Sequence, residues 1–157
     1  DDVFSEGYLV AKDSKADDEV KETYISHSNL RTIIDHIPCK HIFVTMDVCF
    51  GGTFDPQVAK EGGVASSTNH FIATKLLYRT RLYLTSGGKK YVPDGREGQH
   101  SPFATEFLNA LNSNGNKDNI LTTSEITQYV EHLQPKPQNG AFGDNELGSD
   151  FLFIYRL

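Results

Sequence analysis

The segment HIFVTMDVCFGG, residues 41–52, constrains this chain more than any other stretch. Ile42, Phe43, Val44, Met46 and Val48 form an almost continuous apolar run. Such a run predicts a strand over residues 41–48 that is central and buried on both faces, as in parallel sheets covered by helices. It ends in Asp47-Val48-Cys49, followed by Gly51 and Gly52. A thiol is thereby delivered to the carboxyl end of a strand, into a turn whose glycines allow close backbone approach to a ligand. Asp47 interrupts the apolar run with a carboxylate. Reactive groups of α/β sheets gather at that end of the strands, so Cys49 is placed for chemistry. Cys39 has no such neighbours and reads as structural.

Around that strand, elements of two periods alternate. GYLVAKD (7–13) reads as a short strand and the charged stretch 15–23 as a solvated loop. Ser26 or Ser28 caps a helix carrying Leu30, Ile33, Ile34 and Ile37 at helical spacing, and Pro38 stops it. A long Gly/Ser/Thr-rich loop (50–68), a helix (69–78) and a strand, RLYLTSG (81–87), come next. After a second loop (87–100), Ser101 caps a helix with Pro102 at its first position. Thr122 or Thr123 caps another, and FLFIYRL closes the chain as a strand. This order predicts an α/β fold with a mainly parallel sheet flanked by helices.

A chain of 157 residues fits one domain. Its formal charge of −6, without a Lys/Arg block, argues against nucleic acid or an anionic membrane as partner. No apolar stretch approaches the roughly 20 residues that span a bilayer. The two cysteines are separated by a strand that holds them apart, which predicts free thiols and a reducing, cytoplasmic setting.

Several thiol chemistries compete for Cys49. A phosphatase loop needs an arginine six residues on, where Asp55 stands. A redox pair needs Cys-x-x-Cys, which is absent. A nucleophile elbow fits Gly51 but meets Asp47 where a glycine belongs; its base would be His100 or His132. A cysteine peptidase is the fourth choice.

For that choice the wording of the chain is informative. VTMDVCFGG (44–52) resembles the caspase-like peptidases, especially their bacterial metacaspase-like branch, where a strand ends in Asp-x-Cys followed by small residues and glycine. GYLVAKDS (7–14) is similar to the strand that follows the family's catalytic His-Gly, and RLYLTSGG (81–88) to its substrate-flanking strand. HSPFATEFLNAL (100–111) looks like a family helix, and GSDFLFI (148–154) like the closing strand. Together these likenesses match nearly the whole chain to the second part of a caspase-like domain, so residues 1–157 are expected to form one incomplete domain whose first strands are absent.

The resemblance implies a cysteine endopeptidase. Cys49 would attack the scissile carbonyl as thiolate, a histidine would protonate the leaving amine, and the Cys49 amide would help hold the oxyanion. Asp47 matches the aspartate that lines the pocket for the residue before the cut, which implies polypeptide substrates with Arg or Lys there. Ser86 and the main chain around Thr85 and Gly87 would pair with substrate by strand addition. No cofactor is required. Calcium is the one ion implied, because some metacaspases bind it through aspartates in a region comparable to Asp13, Asp17, Asp18 and Glu19; a solvated charge run is the plainer account of that cluster. Lys60 is a conceivable site of self-cleavage in zymogen processing.

One departure is central. The family's histidine lies in a Ser-Gly-His-Gly run just before the strand that here begins near Gly7, and DDVFSE (1–6) contains none. The base is therefore expected upstream, on an N-terminal fragment of the same protein. His27, His36, His70 and His132 lie on or beside helices, His100 precedes a cap, and His41 starts its strand roughly 25 Å from Cys49 at about 3.3 Å per residue. An inactive relative that binds peptide or regulates is the alternative.

Overall fold

Helix starts follow the capping residues. The computed structural model describes residues 6–48, 68–88, 91–113 and 118–155. In chain order the elements are β1 (Tyr8–Leu9), β2 (Ile25–Ser26), α1 (His27–Asp35), β3 (His41–Met46), α2 (Thr68–Leu77), β4 (Thr80–Thr85), α3 (Pro102–Leu111), β5 (Ile120–Thr122), α4 (Thr123–Val130), β6 (Gln138–Ala141) and β7 (Leu152–Ile154). The Ser26 hydroxyl accepts from the Asn29 amide at 3.1 Å, and Ser101 from the Ala104 amide at 2.9 Å. Thr122 and Glu125 close a reciprocal capping box, the Thr122 amide donating to the Glu125 carboxylate at 2.8 Å.

The fold is mixed α/β. β3 and β4 pair in parallel from His41↔Thr80 to Met46↔Thr85, and β6 adds antiparallel to the other side of β4. β1/β2 and β5/β7 are separate antiparallel pairs. The mainly parallel sheet expected from the sequence is therefore corrected: among the described residues, β3/β4 is the one parallel pair. The short polar strand QNGA of β6 and the two-residue β2 carry too little apolar signal to be read from sequence.

The expected central strand is corrected as well. β4, not β3, is buried along its whole length, while most of β3 is half-buried. The reason is position: β4 has hydrogen-bonded neighbours on both sides, and β3 has one among the described residues. Side chains of period two divide the sheet into faces. On one, Tyr83 and Met46 pack with Phe142 and with Leu30 and Ile34 of α1. On the other, Leu84 joins Phe103, Ala110, Leu121, Ile126 and Val130, drawn from α3, β5 and α4. Helices thus cover both faces. No helix among the described residues is long and apolar enough to cross a membrane.

Arg81, wholly buried, lies on the α1 face of β4. Its Nε donates to Asp35 Oδ1 at 3.1 Å and lies 3.5 Å from Asp144 Oδ1. Its terminal nitrogens donate to the carbonyls of Thr80 (2.9 Å), Lys40 (3.2 Å), Asp35 (3.3 Å) and Ile37 (3.4 Å). Gly143 makes room for this cluster: its φ is +53°, and a Cβ there would meet Asp35 Oδ1 at 2.3 Å. Removing the guanidinium takes a donor from four carbonyls and the charge partner from Asp35 at once, so Arg81→Met is expected to cost about 3 kcal/mol or more. Urea unfolding measures this directly; a loss below about 1 kcal/mol, within the range of an exposed ion pair, would contradict the anchoring role.

Candidate functional site

The carboxyl ends of β3 and β4 place Asp47, Thr85, Ser86 and Gly87 side by side. The ladder pairs Met46 with Thr85, and the Ser86 amide donates to the Met46 carbonyl at 2.9 Å. The Ser86 hydroxyl lies 3.0 Å from the Val48 amide, which it accepts, and 3.2 Å from the Val48 carbonyl. One side chain therefore fastens both polar groups of Val48, the residue that leads into Cys49. Cys49 itself, expected as nucleophile and oxyanion donor, lies outside the described residues, as do Gly51, Gly52 and Lys60.

The four described residues differ in what they offer. The Thr85 side chain is buried and bonds to the carbonyls of Gly87 (3.1 Å) and Gln138 (3.4 Å). Ser86 is buried too, its hydroxyl committed to Val48. Both side chains shape the edge from within, and the Thr85 main chain stands between Met46 of β3 and Gln138 of β6. Gly87 is required by packing: a Cβ would lie 2.7 Å from Val92 Cγ2 and 3.2 Å from Pro135 Cγ. Asp47 alone is exposed.

Residue parity explains what holds Asp47. As the next odd-numbered position after Phe43 and Thr45, it falls on the face covered by α3 and α4. There its Oδ2 accepts a hydrogen bond from the hydroxyl of Ser101, the cap of α3. The sequence identifies Ser101 as a cap but carries no sign of this partnership, since the two residues are 54 apart and meet only through the fold. The carboxylate also sits at the positive end of a helix, a favourable position for an anion. Chemically, the edge presents one fixed, solvent-facing carboxylate next to a strand terminus that leads to a thiol in sequence.

His27 and His36 stand at the two ends of α1, His41 starts β3, and His100 is next to Ser101 in sequence. His41, at the opposite end of β3, bonds through Nδ1 to Thr80 Oγ1 at 3.0 Å. His36 bonds to the Thr32 carbonyl at 2.7 Å. His100 is exposed and adjoins Ser101. His27 is buried at the start of α1, its amide donating to the Gly7 carbonyl at 2.8 Å. The acidic stretch is engaged in its own loop: Asp18 Oδ2 accepts from the Thr23 amide (2.6 Å) and hydroxyl (2.7 Å), and these bonds hold its pKa below the ordinary carboxylate value. Among the described residues, no group of three or more His, Cys, Asp or Glu is gathered to hold a metal ion. Cys39, read as structural, is exposed, with its Sγ 3.3 Å from the His41 carbonyl.

Compared with family models, with curated proteins and with solved structures, the chain gave no match.

Burial pushes the His27 imidazole below its usual value of 6.5, against a weaker opposing pull from the Glu6 carboxylate. The unfolded chain then takes up a proton before the folded one. The stability contributed by neutral His27 is present above pH 6.5 and is lost as pH falls through that value toward the lower folded pKa. Denaturant titrations from about pH 7 to about pH 5 should show declining stability, and His27→Gln should flatten the decline. An unchanged slope in the variant would assign the loss to other groups.

Proposed function

We propose that this chain is the cysteine-bearing part of a caspase-like endopeptidase that cleaves after Arg or Lys. The single observation that carries the reading is the exposed Asp47 carboxylate at the end of β3, flanked by Thr85–Gly87 and two residues before Cys49 in sequence. In this reading Cys49 is the nucleophile. Asp47 receives the guanidinium or ammonium of the residue before the cut through charge-assisted hydrogen bonds. The main chain that leaves the β4 ladder after Thr85, at Ser86 and Gly87, pairs with the substrate backbone in this proposal. Val48, which precedes Cys49 in sequence, is fastened by Ser86.

The base comes from an N-terminal segment of the same protein in this proposal. Two features support that. None of the described histidines is hydrogen-bonded to Asp47, Thr85 or Ser86. The far edge of β3 has no strand partner among the described residues, and an apolar strand with unpaired N–H and C=O groups is a template for another. The histidine-bearing segment is assigned to that edge.

The test uses the full-length protein in a Cys39→Ser background, because Cys39 is exposed and would also react with a thiol reagent. Iodoacetamide is expected to label Cys49 and to stop cleavage of arginyl and lysyl peptides, and Cys49→Ala to abolish it. Asp47→Asn should lower kcat/KM for arginyl peptides by about 10- to 100-fold relative to uncharged ones, as loss of a hydrogen bond to a charged group implies. His100→Ala and His132→Ala should retain activity. Cleavage that survives Cys49→Ala would sink the peptidase reading; peptide binding without turnover in the full-length protein would leave the inactive, peptide-binding alternative in its place.

A further inference from the structure

We propose that Ser101 is a positioning residue that sets the carboxylate of Asp47 for a basic side chain, an inference that rests on the specificity assigned to Asp47 above. A hydroxyl has one proton to donate and two lone pairs to accept with. At Ser101 one lone pair takes the Ala104 amide proton at 2.9 Å. That amide cannot accept the hydroxyl proton, so the proton is directed to Asp47 Oδ2. Ser101 is only 9% exposed, which keeps water from competing strongly for it. The two bonds are in series, each polarising the other. They run from the first turn of α3 through one hydroxyl to the end of β3.

The consequence is geometric. Asp47 lies just past the last ladder residue of β3, Met46, and an exposed carboxylate there would otherwise rotate about its own torsions. Ser101 fixes it from the α3 side by Oδ2. Its other oxygen, Oδ1, has no hydrogen bond to a described residue and is the one left for a ligand. α3 is held in turn by Phe103 and Ala110 in the core, so the reference point for the carboxylate is a packed helix rather than a loop. Fixing a charged partner in advance removes part of the ordering cost of binding.

Two substitutions separate the cap from the hydroxyl. Ser101→Gly keeps an acceptable helix cap, with only a few tenths of a kcal/mol lost, but removes the bond to Asp47. Ser101→Thr keeps both. In the full-length enzyme, Ser101→Gly is expected to lose about 10-fold in kcat/KM for arginyl over uncharged peptides, carried in KM. Ser101→Thr should stay within about 3-fold of the parent, and adding Ser101→Gly to Asp47→Asn should cost no further selectivity. If Asp47→Asn collapses the preference for arginine while Ser101→Gly preserves it, the positioning role is overturned and the specificity reading stands. If Asp47→Asn leaves the preference intact, the specificity reading fails, and proton NMR judges the pairing alone. An exchange-protected Ser101 hydroxyl proton that Asp47→Asn abolishes supports it; a hydroxyl proton exchanging freely with water overturns it.

Discussion

The described fold depends on one buried cation. Arg81 sits in the wholly buried strand β4 and gathers carbonyls from the end of α1, from the turn before β3 and from β4 itself, together with the carboxylate of Asp35. Asp35 also accepts from the Asp144 amide at 3.3 Å, which brings in the turn after β6. A guanidinium is suited to this because it carries five donors in a rigid plane, where an ammonium offers three from one point. Desolvating a charge so completely is costly unless its donors are met, and here they are met by four backbone carbonyls and one carboxylate. The anchor therefore joins the points where α1, β3, β4 and β6 begin or end. Asp47 and Ser86 stand at the opposite end of the same parallel pair, so their register is inherited from it.

Much of this was legible in the sequence because it was written locally. Ser26, Ser101 and Thr122 mark helix starts through bonds spanning three residues, and the apolar runs mark β3 and β4 by composition. What stayed hidden depends on neighbours far apart in sequence. The arginine at the start of RLYLT carries no local mark of burial, and the carboxylates that meet it, Asp35 and Asp144, lie 46 and 63 positions away. β4 outranks β3 in burial because β6, a polar QNGA segment with no strand signature, adds to its free side. Of the candidate site, Asp47 was recognisable as a carboxylate out of place in an apolar strand. Its partner Ser101 was recognisable only as a cap. Ser86 and the main chain around Thr85 and Gly87 were expected to pair with substrate; that the Thr85 and Ser86 side chains turn inward to hold the strand ends had no mark in the sequence.

A magnitude sets what Asp47 can do in the proposed reaction. An ion pair at an exposed carboxylate contributes about 0–1 kcal/mol, at most about fivefold in selectivity. Hydrogen bonds to a charged partner shielded from water contribute about 1.5–3 kcal/mol. Strong selection of Arg or Lys therefore demands that something cover Asp47 when substrate is bound, in addition to the hold that Ser101 exerts from behind. The substrate backbone laid along Ser86 and Gly87 would exclude water on one side. A segment docked along the far edge of β3 would exclude it on the other. In the proposed enzyme the upstream segment thus supplies two things at one place: a histidine for the thiol and the low-polarity cover that turns a surface carboxylate into a specificity determinant.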